Sequence, residues 1–164
     1  MVWRAEKMEA YALLALMVEA GGVEPPPEIA RTEQGKPYFP DCPNLHFSLS
    51  HSGGLSLCAL NHRPVGADLE MVRSRKEGLP AYTLSQRELD WFRGRGESWA
   101  DFYTLWTLKE ARVKCTGEGI FHRPVREVSV PLLGPGESVE WEGFTFTALA
   151  GEGWRGAICE KLDS

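Results

Sequence analysis

The sequence predicts an α+β fold built on antiparallel sheet. Helix and strand patterns follow one another as α-β-β-β-α-α-β-β-β-β, without the regular strand–helix alternation that builds a parallel sheet. The 164 residues suit one compact domain, or two small lobes sharing a core. An apolar content of 43% with six Trp supplies the core for either and argues against disorder.

The first element, Glu6 to Ala20, reads as an amphipathic helix ended by Gly21-Gly22 and the Pro25-Pro26-Pro27 run. Its apolar stretch, Tyr11 to Val18, is short for a signal sequence, and Glu6 and Glu9 stand where such a sequence carries positive charge. Residues 28–44 read as irregular chain, with turns at Gly35-Lys36-Pro37 and Asp41 to Asn44. Strands follow at His46 to Ser50, at Leu55 to Asn61 and, past the His62-Arg63-Pro64 turn, at Val65 to Glu70. Beyond a charged loop, Arg73 to Gly78, Ser85 is placed to N-cap a helix with Glu88 as its capping-box partner. The Arg93-Gly94-Arg95-Gly96 loop leads into a further helix that starts at Trp99 and stops near Gly117. Strands are then expected at Glu127 to Leu132, Ser138 to Trp141, Phe144 to Ala150 and Trp154 to Cys159.

A formal charge of −5 disfavours non-specific nucleic-acid binding, which needs a broad basic surface. No segment is long enough to span a membrane. The four cysteines, Cys42, Cys58, Cys115 and Cys159, are widely spaced with no CxxC grouping. Reduced thiols in a cytoplasmic protein are the simplest account, rather than zinc or a disulfide framework.

The segment Trp99 to Gly119, WADFYTLWTLKEARVKCTGEG, carries the clearest chemical signal. At about 100° per residue, Trp99, Phe102, Tyr103, Trp106 and Val113 share one helix face. Glu110 falls near the centre of that face, and Lys114 lies a turn further on at its edge. A carboxylate among aromatics must be paired, titrate abnormally or bind a metal.

In the strand PVGADLE, Asp68 and Glu70 point to one side and Val65, Ala67 and Leu69 to the other. Neighbouring carboxylates repel unless a cation lies between them, and hard oxygen donors suit Mg²⁺. The pair alone says nothing, because Glu88/Asp90 and Glu140/Glu142 have the same spacing. In FSLSHSGG, Ser50 and Ser52 would face one way and His51 the other, as a phosphate contact or simply as a strand leaving its sheet. Lys36, on the Gly-Lys-Pro turn, is a phosphate contact or a solvated lysine. Arg73, Arg75 and Lys76 form either a solubilising loop or a docking spot for an acidic partner.

Taken in order, GKPYF, FSLSHS, VGADLE, LSQREL and WTLKEARVKCTGEG resemble the signature blocks of the Sfp-type 4′-phosphopantetheinyl transferases, over roughly residues 28 to 120. That family carries a GKP turn, an N-L-S-H-S-like block, a V-G-x-D-x-E strand and a W-x-x-K-E-A-x-x-K helix. The resemblance implies antiparallel sheets packed by helices in two pseudo-related lobes, the first shortened. Residues 1–62 would form the lobe that contacts coenzyme A, and residues 63–164 the lobe holding the metal and catalytic groups. It implies that Asp68, Glu70 and Glu110 hold Mg²⁺, with Glu110 as general base or as holder of a metal-bound water. Lys114 would steady the transferred phosphate, while Lys36, Ser50 and His51, assisted by Arg31, would hold coenzyme A, chiefly by its 3′-phosphate. Glu88 matches an acidic position of the family and equally the capping role.

The implied reaction moves phosphopantetheine from coenzyme A to a serine of an apo acyl or peptidyl carrier protein, releasing 3′,5′-ADP. Some 60 residues precede VGADLE, fewer than is usual in the family, and Ser48 replaces its usual Asn. A second subunit completing the coenzyme site is therefore a further expectation. The alternative implied is a catalytically weak or inactive member that binds coenzyme A or a carrier protein. A Mg²⁺-dependent phosphohydrolase would use the same carboxylates but leave the GKP and SHS blocks without a purpose.

Overall fold

The computed structural model describes residues 1–119 and 123–163; the end of the 28–120 resemblance and Ser164 lie outside them. In chain order the elements are β1 (Val2–Glu6), α1 (Ala10–Ala20), β2 (Ala30–Arg31), β3 (Pro37–Tyr38), β4 (His46–Ser52), β5 (Leu55–Asn61) and β6 (Val65–Met71). They continue with α2 (Leu79–Thr83), α3 (Gln86–Gly94), α4 (Trp99–Thr116), β7 (Ser138–Trp141), β8 (Phe144–Gly151) and β9 (Trp154–Lys161). The class is α+β, with one sheet ordered β1-β5-β4, another ordered β6-β9-β8-β7 and a small β2-β3 hairpin. Every ladder is antiparallel.

Three expectations need correction. The first helix begins at Ala10, with Glu9 as its N-cap accepting from the Tyr11 and Ala12 amides at 3.0 and 2.9 Å. The residues before it form β1, paired with β5 from Val2↔Leu60 to Glu6↔Ser56. Local pattern cannot show a pairing whose partner lies some fifty residues away. The stretch read as irregular holds the β2–β3 hairpin. The strand expected from Glu127 to Leu132 is a 3₁₀ turn, Val125–Glu127, followed by extended chain outside any ladder. Its alternation is real, since Val128 and Val130 are buried. Its carbonyls, however, accept from side chains: Val128 from Lys109, Ser129 from Arg112 and Val130 from Arg87.

The two sheets meet along β4 and β6, which run side by side in the same direction without a backbone ladder. The Ser48, Ser50 and Ser52 hydroxyls accept from the Ala67, Leu69 and Met71 amides at 2.8, 3.0 and 3.2 Å. Alternate serines thus do for the β6 N–H groups what a neighbouring strand's carbonyls would do. Behind this seam, Leu57, Ala59, Val65, Ala67, Leu69 and Ile158 form a core shared by the two sheets. One further cluster joins α1 to the first sheet, and another surrounds α4 on the second.

Helix α4 lies across β6 and β9 rather than on the surface. Gly66 permits its approach: a Cβ there would stand 1.9 Å from the Ala111 carbonyl oxygen and 2.4 Å from the Cys115 nitrogen. The helix is buried on most sides, including at Leu105, Leu108 and Lys109, not only along the expected aromatic face. Trp106, Glu110, Val113 and Lys114 are its partly open positions at the site.

Candidate active site

Strand periodicity puts Asp68 and Glu70 on one face of β6. Helix periodicity puts Glu110 and Lys114 on one side of α4. Because α4 crosses β6, the four side chains converge. The Lys114 ammonium donates to Asp68 Oδ1 at 2.8 Å, to the Ala67 carbonyl at 3.1 Å and to the Leu49 carbonyl at 3.4 Å. The Ser50 hydroxyl lies 3.2 Å from the same Asp68 oxygen. Asp68 Oδ2 is buried with no partner among the described residues.

The electrostatics follow from one ammonium facing three acids. Burial pushes the Asp68 carboxyl above its usual range, against the pull of Lys114. Burial and then the Asp68 charge raise Glu70, which Arg73, Lys114 and Arg75 oppose. Glu110 is pushed up to about 7, first by burial and then by Asp68, with Glu70 adding to the effect. The cluster is short of positive charge. Among the described residues, no three His, Cys, Asp or Glu side chains form a ready-made metal cage.

A cleft of about 280 Å³ opens here, lined among others by Lys36, Pro37, Phe47, Ser48, Glu110 and Lys114. A second cleft of about 560 Å³, with Tyr82, Trp106, Arg123 and Arg126, shares Glu110 and Val113 with the first. Those two residues are the ridge between them.

Of the residues expected to hold coenzyme A, only Lys36 lines the first cleft. Its ammonium donates to the Cys115 carbonyl at 2.9 Å and the Val65 carbonyl at 3.4 Å, and burial lowers its pKa. Ser50 is buried in the seam between the sheets. His51 is exposed beside another hollow, with Glu9 and Ser56. Arg31 braces the β2–β3 hairpin, donating to the Gly35 carbonyl at 2.9 Å and the Tyr11 hydroxyl at 2.7 Å.

Sequence reasoning missed Lys109. Fully buried, it pairs with Glu88 at 2.8 Å and donates to the Val125 and Val128 carbonyls at 3.0 and 2.8 Å. Glu88 meanwhile closes the capping box with Ser85, as its spacing indicated. A signal for Lys109 was available, because Phe102 and Leu105 lie seven and four residues before it on one helix face.

The lifted Glu110 pKa sets a pH dependence of stability. The folded chain keeps a proton on Glu110 up to about pH 7, whereas an ordinary glutamate releases it near 4.5. Native protein therefore binds more protons across that window, and stability falls as pH rises through it. The contribution is fully present below 4.5 and lost above about 7, and amounts to about 3 kcal/mol. Thermal melts of metal-free protein between about pH 5 and about pH 8 should show the fall, and Glu110→Gln should make it shallower. Equal slopes in the two proteins would refute the assignment.

Glu110 and Lys114 on the cleft wall, with Asp68 bound to Lys114 behind them and Glu70 close enough to raise Glu110, suit metal-assisted transfer of a phosphate ester. The family model of the 4′-phosphopantetheinyl transferase superfamily matches residues 64–159, and the chain belongs to that superfamily. It is 32% identical over 135 residues to a 4′-phosphopantetheinyl transferase of Bacillus subtilis, covering 77% of this chain and 60% of that one. It is 34% identical over 107 residues to the 4′-phosphopantetheinyl transferase Sfp of Bacillus subtilis strain 168, covering 64% and 47%. The chain thus spans about half to three fifths of the length of these curated relatives. The crystal structure of Thermotoga maritima holo-[acyl-carrier-protein] synthase superposes with a TM-score of 0.48 at 18% identity, over 62% of this chain and 64% of that one.

Proposed function

We propose that this chain transfers the 4′-phosphopantetheine arm of coenzyme A to a serine of an apo acyl or peptidyl carrier protein. The observation that carries the reading is that Glu110 and Lys114 line one cleft while Lys114 also holds Asp68, all three within the matched segment. In the reaction the serine oxygen forms a bond to the phosphorus bearing pantetheine. The bond from that phosphorus to the bridging oxygen breaks, and 3′,5′-ADP leaves.

The donor set fits Mg²⁺. Asp68 presents a buried oxygen with no partner among the described residues, and burial together with the neighbouring carboxylates raises the pKa of Glu70 and of Glu110. Asp68, Glu70 and Glu110 would hold the ion, which when bound supplies Lewis-acid charge beside the pyrophosphate. The Glu110 carboxylate accepts the serine proton; a base titrating near neutrality suits that task. The Lys114 ammonium neutralises charge on the transferred phosphate. Lys36 reaches the coenzyme from the cleft wall, and Arg31 and His51 meet its 3′-phosphate outside it. Ser50 positions Asp68 through its hydroxyl.

In this reading residues 1–62 form the coenzyme lobe and residues 63–164 the catalytic lobe. The basic loop at Arg73, Arg75 and Lys76, whose charge already reaches Glu70, receives an acidic carrier. A cytoplasmic location belongs to the same reading. Its support is four cysteines that are all free thiols.

Incubation with coenzyme A, Mg²⁺ and a panel of apo carriers should add one phosphopantetheine arm by intact-protein mass spectrometry. Failure on every carrier, a promiscuous one included, would reject transfer. Calorimetric binding of coenzyme A in that case would leave a protein that holds the coenzyme without turnover.

A further inference from the structure

Lys114 has three N–H donors, and each has an acceptor in place. These are Asp68 Oδ1, the Ala67 carbonyl and the Leu49 carbonyl, at 2.8, 3.1 and 3.4 Å. An ammonium so engaged has no hydrogen left for a phosphate. Among the described residues it is instead the cation in direct contact with the carboxylate cluster, and its bonds to the Leu49 and Ala67 carbonyls close the gap where β4 and β6 lack a ladder. Asp68 remains half satisfied, because its other oxygen is buried and has no partner among the described residues.

We infer that Lys114 is the resident counter-ion of the cluster in the metal-free protein, and that a divalent cation competes with it for Asp68. The inference rests on the proposed function for the presence of such a cation, and adds an order of events. Two positive groups at one carboxylate repel each other, so metal binding weakens the Lys114–Asp68 contact. The Lys114 side chain is about one-third exposed and lines the 280 Å³ cleft, so it has room to turn there. Metal occupancy therefore releases the ammonium to the place where a phosphate would lie. A site loaded with coenzyme alone keeps Lys114 locked in the seam.

Two measurements on the full chain test this with Mn²⁺ as the probe. In calorimetry or electron paramagnetic resonance without coenzyme, Lys114→Gln should bind Mn²⁺ about tenfold more tightly than wild type. Glutamine keeps a donor for Asp68 and the carbonyls while removing the charge, which guards against misfolding. In wild type, adding Mn²⁺ should raise the rate at which an amine-acylating reagent labels Lys114, read by peptide mass spectrometry. Equal or weaker Mn²⁺ binding by Lys114→Gln, or unchanged labelling while Mn²⁺ binds, overturns the inference and leaves the proposed transfer standing. Absence of Mn²⁺ binding in both proteins, with and without coenzyme A, overturns the inference and the metal site together. Tighter Mn²⁺ binding in the variant, while the wild-type chain modifies no carrier, supports the inference and rejects the transfer.

Discussion

In the proposed transfer, Glu110→Gln will lower the rate by about a thousandfold or more, within the range expected for losing a general base. The amide has nearly the shape of the carboxylate, yet it neither accepts the serine proton nor carries the charge a hard metal ion requires. The fold will tolerate the change. Among the described residues Glu110 makes no salt bridge, and its charge is opposed by burial and by Asp68 and Glu70. Removing that charge relieves repulsion, so at about pH 8 the variant should melt no lower than wild type. Carrier modification and a thermal melt on one preparation decide the matter. A variant that melts normally and keeps more than about a tenth of the activity would place the base elsewhere.

The positions of Asp68, Glu70, Glu110 and Lys114 on their own elements were legible because periods of two and of 3.6 are local properties. The Leu55–Asn61 strand and the Ser85–Glu88 capping box were legible for the same reason, each set by residues a few positions apart. What escaped was tertiary. β1 exists because β5 offers it a partner. The alternation from Val128 to Val130 looks like a strand but is served by Lys109, Arg112 and Arg87 instead of a ladder. The serines of FSLSHS looked like possible phosphate contacts, and Ser48, Ser50 and Ser52 instead cap the amides of β6. Lys36 and Lys114 likewise donate to backbone carbonyls of other elements. A sequence shows that a hydroxyl or an ammonium is present; packing decides which acceptor it meets.

Lys109→Met will lower the melting temperature by about 10 °C, the largest loss of stability expected from a single change near the site. The Lys109 ammonium is fully buried against the equally buried Glu88 carboxylate, and it also serves the Val125 and Val128 carbonyls. Burial depresses its pKa, while Glu88 acts to keep it charged. Removing one member of a buried pair leaves the other charge without its counter-ion, at about 3–5 kcal/mol. Because Lys109 ties α3, α4 and the chain after Val125 together, the residue next to Glu110 is also its brace. Adding Glu88→Gln removes the orphaned charge and keeps an acceptor for the Ser85 amide, so the double variant should recover about half of the loss. Melting curves of the two single variants and the double variant complete the cycle. If the double variant melts no higher than Lys109→Met, the loss arises at the 125–128 carbonyls and not at Glu88.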